Sequence, residues 1–450
     1  MPGPPTRPIQ RTSPNDLMAL AAESAAAPMQ VAAVLVLDRC LGLADVRRAL
    51  ADRIAAVPRL RQRLHRAPVG CGRPVWVDDA GFTLDRHVLS RPCPAGEGEA
   101  ALLEVAAAVV ADPLPRDRPL WSITVVSGMP GGLSGLVLVI HHVVADGMGG
   151  LAALSLLVDG APAGLVVPFP TPPPTPWELF VDATGSRWRA LLSWPAGLRL
   201  LRDAVAELRG GHVGHPTRCS LNLPTGSRRR LAVARTDLAD LSVGAHAHSA
   251  TINDVLLTAV SGALATLLRE RGESAGEFVL SVSVSGRRDL DAPQLGNRVG
   301  AMLVGVSARG DTLHRLSEIA ETTRSRRRSR GRGASAALLG PAFRVLAQWG
   351  AFRWFVDRQR LVTTFVTNLR GPTSPMTFLG ATVTTVIPVT LTTGNVTVSF
   401  AALSYAGSLV VTVIADSQRC PDASVVVAAL QGQLHDLTSA GRTAVRTPTR

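Results

Sequence analysis

Two adjacent histidines, His141 and His142, are followed at short spacing by Asp146 and Gly147 in the string His141-His142-Val143-Val144-Ala145-Asp146-Gly147. An imidazole titrates near pH 6.5, so a histidine held rigidly at a strand exit can take a proton from a hydroxyl or a thiol near neutral pH. The nearby carboxylate and glycine would brace that base and leave room beside it. Two duller readings compete with this one: a hydrogen-bonded structural histidine, and a pair of metal ligands. Neighbours on an extended chain point to opposite faces, and no Cys or His pair at zinc-ligand spacing lies nearby, so no metal site is expected. A second polar group, Thr251-Ile252-Asn253-Asp254, stands where a periodic apolar helix begins. Its side chains read either as a helix cap satisfying free amides or as groups facing the base from another part of the fold.

The elements around these residues suggest how they are positioned. The run 133–140 is apolar apart from Ser134 and reads as a strand buried on both faces, placing the histidines at its exit. Gly147, Gly149 and Gly150 allow a tight turn into a helical run at 151–158. Before it, helices are predicted at 16–27, 43–57 and 99–110, with strands at 31–37 and 122–126, the latter pairing with 133–140 through a glycine-rich turn. After it, the proline-rich segment 168–176 (PFPTPPPTP) cannot carry a sheet ladder and reads as a crossing linker, followed by a helix over 177–208. A second half follows. Strands rich in Val and Thr are predicted at 231–237, 278–284, 299–306, 364–367, 383–388, 395–403 and 408–415, with helices at 251–269 and 421–437 and a loose tail from 438.

With 450 residues, of which 46% are hydrophobic, the chain is long enough for two domains. No run of about twenty apolar residues lacks polar interruption, and no secretory leader is evident, so a cytoplasmic protein is expected. Five cysteines stand singly at Cys40, Cys71, Cys93, Cys219 and Cys420, which fits reduced thiols. The net charge of +13 comes from arginine alone, for the chain contains no lysine. That excess favours anionic partners: phosphate-bearing cofactors, anionic membrane surfaces or nucleic acid. The densest run, RSRRRSRGR at 324–332 beginning at Arg324, reads as a solvated loop or as an electrostatic foot on lipid. With a single tyrosine and 4% aromatic residues, a stacking platform for nucleic acid is not expected.

Taken in order, the motifs resemble the bacterial wax ester synthase/acyl-CoA:diacylglycerol acyltransferase family. They are Ser13-Pro14-Asn15-Asp16, Glu23, Pro28-Met29, Pro58-Arg59-Leu60-Arg61 and Arg118-Pro119-Leu120-Trp121. They continue with the His141–Gly147 string, Thr251-Ile252-Asn253-Asp254-Val255, Leu295-Gly296-Asn297 and Asn368-Leu369-Arg370-Gly371-Pro372. The HHxxxDG string alone is shared with a wider superfamily of CoA-dependent acyltransferases and peptide-synthetase condensation domains.

The resemblance implies an α/β fold of mixed sheets: two chloramphenicol-acetyltransferase-like domains with an active-site tunnel at their interface. The expected division is 1–165 for the first domain, 166–225 for linker and helix, and 226–450 for the second. It implies transfer of a fatty acyl group from acyl-CoA to diacylglycerol or a long-chain alcohol, with His142 as general base and no acyl-enzyme. His141, Asp146 and Gly147 would support the base, Asp146 turning away into a structural ion pair. Asn253, Asp254 and Glu23 would contact substrate. Acyl-CoA would be a co-substrate and no further cofactor or metal is implied; contact with an anionic membrane or lipid droplet would be peripheral. The alternatives are a superfamily acyltransferase using another alcohol or amine, and a lipid-binding relative with little turnover. The sequence departs from the family at Tyr405-Ala406-Gly407, where Tyr-Asp-Gly is usual, and in its heavier arginine run.

Overall fold

A computed structural model describes residues 8–94, 98–162, 168–192, 216–274, 276–285, 295–296, 299–328 and 350–446. The strands of the first half are β1 (Gln30–Leu37), β2 (Gln62–His65), β3 (Val75–Asp78), β4 (Val88–Pro92), β5 (Trp121–Ser127) and β6 (Ser134–His141). Those of the second are β7 (Arg229–Asp237), β8 (Glu277–Ser285), β9 (Val299–Ser307), β10 (Thr364–Arg370), β11 (Thr377–Phe378), β12 (Ala381–Val389), β13 (Val398–Tyr405) and β14 (Ser408–Asp416). The helices are α1 (Pro14–Ala22), α2 (Leu43–Arg53), α3 (Glu99–Ala111), α4 (Gly147–Ser155) and α5 (Pro176–Leu192), then α6 (Leu238–Ala247), α7 (Ile252–Glu270), α8 (Thr312–Arg328), α9 (Phe352–Val356) and α10 (Ala423–Arg446).

Two mixed six-stranded sheets form the frame, in the orders β11-β12-β1-β6-β5-β4 and β7-β14-β13-β10-β8-β9. The α/β class with mixed sheets is therefore as expected, but the two halves are not separate along the chain. The hairpin β11–β12, which falls inside the expected second domain, completes the first sheet by pairing antiparallel with β1. Asp159 holds the hairpin turn there: its carboxylate accepts from Leu379 N–H (3.1 Å) and Gly380 N–H (2.8 Å) and pairs with Arg53 (2.7 Å).

Alternation along β1 and β6 shows why both are apolar between their ends. Leu35, Leu37, Leu136, Leu138 and Ile140 pack into the core of the first half. Val34, Val36, Val137 and Val139 face the other way, into a core shared with α3 and with Leu231, Ala401, Val410 and Ile414 of the second sheet. Burial on both faces favours apolar side chains along the middle of each strand, while the buried polar residues stand at the strand ends with partners, Gln30 donating to Val110 O (2.9 Å) and Ser134 to Arg39 O (2.7 Å). Gly135 is required for that packing, because a Cβ there would stand 2.4 Å from Leu102 Cδ1 of α3. The second half has its own core around α7, which packs against α10 and whose buried Leu256, Val260, Leu264 and Leu267 share one cluster with strand residues such as Phe278, Phe400 and Val411. Helix α7 alone among the described helices is long and apolar enough to cross a membrane, and here it is a core helix.

Several helix ends differ from expectation: α1 stops at Ala22 instead of 27, α2 at Arg53 instead of 57, and α4 runs over Gly147–Ser155 instead of 151–158. Helix α10 continues to Arg446 instead of ending near 437, since no helix-breaking proline intervenes before Pro448. The first five residues of the arginine run, expected to be a loop, end α8 instead; there Arg324 donates to Ser249 O (2.7 Å) and positive charge suits the carbonyl end of the helix. The remainder of that run, Asn297, and the end of the helix expected over 177–208 lie outside the described residues.

Candidate active site

The strand period carries beyond β6. His142 falls on the face of Leu138 and Ile140, while His141 falls on the other. Backbone hydrogen bonds fix both: His141 N–H donates to Leu120 O (3.0 Å) and His142 N–H to Met29 O (2.7 Å). His142 thereby enters a cavity of about 660 Å³ between the two sheets. Val31, Ala33, Leu138, Ile140, Leu151 and Leu154 line it from the first half, and Asn253, Ser283, Thr367, Asn368, Leu369 and Arg370 from the second. The walls are mostly apolar with a few convergent polar groups, the usual composition of a small-molecule site. Arg370 is also exposed, so the cavity opens to solvent beside it.

Burial lowers the pKa of His142 to about 4, against the upward pull of Asp146. The ring is therefore neutral at pH 7 and able to accept a proton. Asp146 acts through structure. Its carboxylate, 1% exposed, caps α4 by accepting from Gly149 N–H at 2.7 Å. Gly147, Gly149 and Gly150, expected to make a tight turn, lie within α4 and have no positive φ. The need at Gly147 is close approach: a Cβ would sit 3.0 Å from Leu369 Cδ1 across the cavity.

His141 has a different task. Its Nδ1 accepts from Val143 N–H (3.2 Å), so the ring proton resides on Nε2 and is donated to Glu23 Oε1 (3.1 Å). Arg116 pairs with the same carboxylate. Burial, reinforced by Arg116, lowers the pKa of His141 to about 3 and keeps it a neutral donor. Glu23, expected as a substrate contact, is absent from the cavity lining; it orients the neighbour of the base.

On the opposite wall, Asn368 Nδ2 donates to Asn253 Oδ1 at 3.5 Å. With its carbonyl so used, the amide NH₂ of Asn253, which lines the cavity, has no partner among the described residues. Asn253 is not the helix cap. That part is taken by a capping box in which Thr251 Oγ1 accepts from Asp254 N–H (3.3 Å) and Asp254 Oδ2 from Thr251 N–H (2.9 Å). Asp254 Oδ1 accepts from Thr323 (2.6 Å), so both oxygens are occupied inside the protein. The expectation that Asp254 contacts substrate gives way to a structural role.

This arrangement has known relatives. The model of the wax ester synthase/diacylglycerol acyltransferase catalytic domain matches residues 12–256, and that of the WS/DGAT C-terminal domain matches 295–438. The chain belongs to this family. A Mycobacterium tuberculosis relative described as a probable diacylglycerol O-acyltransferase is 30% identical over 389 residues, covering 83% of each chain. The fold matches the wax ester synthase/diacylglycerol acyltransferase from Marinobacter aquaeolei VT8, with TM-score 0.70 and 20% identity over 96% of this chain and 100% of that one. It also matches the starter condensation domain of rhizomide synthetase solved with C8-CoA and Leu-SNAC, with TM-score 0.63 and 17% identity over 96% and 94%. The chain is thus an acyltransferase with the two-domain fold of the WS/DGAT family.

Within this WS/DGAT architecture the Pro119-Leu120-Trp121 block serves the base indirectly. Leu120 O holds the His141 backbone, and buried Trp121 donates from Nε1 to Leu60 O (2.6 Å) while stacking on His87 at 4.6 Å. Neither Pro119 nor Trp121 lines the cavity, whereas Asn368, Leu369 and Arg370 do. Sequence reading missed Arg116 and the pair Ser283–Thr367, whose hydroxyls meet at 3.2 Å on the cavity wall. The alternation of Ser281, Ser283 and Ser285 with valines in β8 was the available signal for the latter, since a buried strand with one hydroxyl-bearing face has something polar to meet. Arg116, in a connecting loop, had none.

Proposed function

We propose that this protein transfers a fatty acyl group from acyl-CoA to the hydroxyl of a lipid alcohol, diacylglycerol or a long-chain alcohol, with His142 as general base. One observation carries the reading: a neutral imidazole enters a largely apolar cavity that faces an amide pair, Asn253 and Asn368, from the other half of the fold. The acceptor oxygen attacks the thioester carbonyl as its proton passes to His142, giving a tetrahedral intermediate. The C–S bond then breaks, and the imidazolium returns the proton to the leaving thiolate. The Asn253 NH₂ is the candidate donor to the oxyanion, a contact whose loss costs about two to three decades of rate. No cysteine enters the scheme. Cys420, with its thiol pushed up to about 12 by burial, is a poor nucleophile.

The names of the relatives support diacylglycerol as acceptor, and the apolar walls suit a hydrocarbon chain. Such an acceptor is held in bilayers or droplets, so the proposal includes peripheral contact with an anionic lipid surface. The test is release of CoA from palmitoyl-CoA with dioleoylglycerol, hexadecanol and a set of polar alcohols and amines. Turnover is expected with the first two. Turnover confined to polar acceptors would replace the lipid reading with that of another superfamily acyltransferase, and tight lipid binding without CoA release would replace it with a binding protein.

A further inference from the structure

Helix α5 carries a stripe of apolar side chains turned away from the protein. Trp177, Phe180, Val181 and Trp188 are 70%, 43%, 52% and 64% exposed. At about 100° per residue these four positions fall within roughly 100° of arc on one side of the helix. The opposite side is anchored. Leu179 and Ala183 are buried, and Leu179 packs with Cys71, Val75 and Val77 of the β2–β3 region. Arg11 locks the two together, its guanidinium donating to Cys71 O (2.9 Å), Arg73 O (2.8 Å) and Leu179 O (2.8 Å) while pairing with Asp182 (2.5 Å). Ordinary core formation therefore does not account for the outward aromatics: the helix already has a buried face, and the stripe is on the other one.

Arginines flank the stripe. Arg187 and Arg189 lie to either side of it on the helix, and Arg187 donates to Gly70 O (2.8 Å) of the neighbouring loop. That loop presents Val69, which is fully exposed at 105%, and Arg66. From these observations we infer that the outer face of α5 is a lipid-docking surface, seating Trp177, Phe180, Val181 and Trp188 in the interfacial layer of an anionic membrane or droplet.

The chemistry of the patch selects this occupant. Trp rings are amphipathic and suit the headgroup boundary, and arginines beside them meet lipid phosphates in a chain of net charge +13. A second copy of the chain fits less well. The four side chains present on the order of 500 Å², short of the roughly 800 Å² per partner that a stable dimer buries. The inference extends the lipid-acceptor reading, for a docked enzyme would draw its acceptor from the surface it sits on, yet it is testable apart from catalysis.

The test compares the full-length protein with the double variants Trp177→Ala/Trp188→Ala and Arg187→Gln/Arg189→Gln. Co-sedimentation would use vesicles of phosphatidylcholine with and without phosphatidylglycerol, and thermal melts would confirm that each variant is folded. Wild type should bind the anionic vesicles and be quenched by brominated lipid. The aromatic double variant should lose at least about tenfold in partitioning, and the arginine double variant should lose its preference for phosphatidylglycerol. CoA release with a short-chain soluble alcohol should be unchanged in both. Equal vesicle binding by wild type and the folded aromatic variant, or no binding by wild type, overturns the inference. So does light scattering that shows a wild-type dimer and a monomeric aromatic variant. Absence of CoA release with every acceptor, beside vesicle binding lost in the aromatic variant, would sink the catalytic reading and leave the docking surface standing.

Discussion

Glu23 separates a positioning role from a substrate contact, because the two predict opposite kinetics. Its carboxylate accepts the Nε2 proton of His141, whose side chain is 1% exposed, and it shares Arg116, which is half exposed. Truncation in Glu23→Ala leaves a buried imidazole N–H without its charged acceptor, a loss of about 1.5–3 kcal/mol. The half-exposed ion pair adds no more than about 1 kcal/mol. The expected destabilisation is thus about 1.5–4 kcal/mol, read as a lower urea midpoint. Glu23→Gln keeps an acceptor oxygen but not the charge and should lose about 1 kcal/mol. Since the backbone of His141 leads directly to His142, Glu23→Ala should also lower kcat by about ten- to a hundredfold through misplacement of the base, with KM for acyl-CoA and acceptor little changed. A wild-type urea midpoint combined with a raised KM would show that Glu23 touches substrate, and the assignment made from the geometry would be wrong.

The two histidines also set a pH dependence. Their folded pKa values, about 3 for His141 and about 4 for His142, lie below the ordinary 6.5, so the unfolded chain binds more protons between those limits. Stability should be full above about pH 6.5 and fall as pH drops, by about 2 kcal/mol per histidine at pH 5. Urea midpoints at pH 7 and pH 5 measure this, and equal midpoints would contradict it. The acid limb of kcat/KM for the same reason should appear near pH 4 rather than near 6.5, as a pH–rate profile would show. At the β13–β14 turn, Ala406 is held at φ +46° and Gly407 at φ +83°. Ala406→Asn should stabilise by about 0.5–1 kcal/mol in thermal melts with activity unchanged, because Asn tolerates the left-handed region that strains Ala.

That turn also explains the departure from the family's Tyr-Asp-Gly. Tyr405 keeps its role, donating to Val383 O (2.8 Å) and accepting from Met376 N–H (2.7 Å), and so ties β13 to the hairpin that completes the first sheet. Ala406 affects turn strain and does not line the cavity. What was legible in the sequence was what period and local chemistry determine. The doubly buried strand, the base at its exit and the helix capped at Thr251 are all local. What was not legible depends on long-range pairing. The register of β12 against β1 joins residues more than 340 positions apart, and no local pattern separates such a strand from one that stays in its own half. Glu23 and Asp254 were read as substrate contacts, and their other partners were not legible, for a related cause. Their residue types were compatible with substrate contact, and only the fold shows that His141, Arg116 and Thr323 engage them first.

The most direct test of the central claim is the kcat/KM for CoA release by His142→Ala, measured with palmitoyl-CoA and dioleoylglycerol on protein whose thermal melt shows it folded. With His142 as the general base, the value should fall by at least about 10²–10⁴. Release at the wild-type rate would contradict that role and require a different proton acceptor in the cavity.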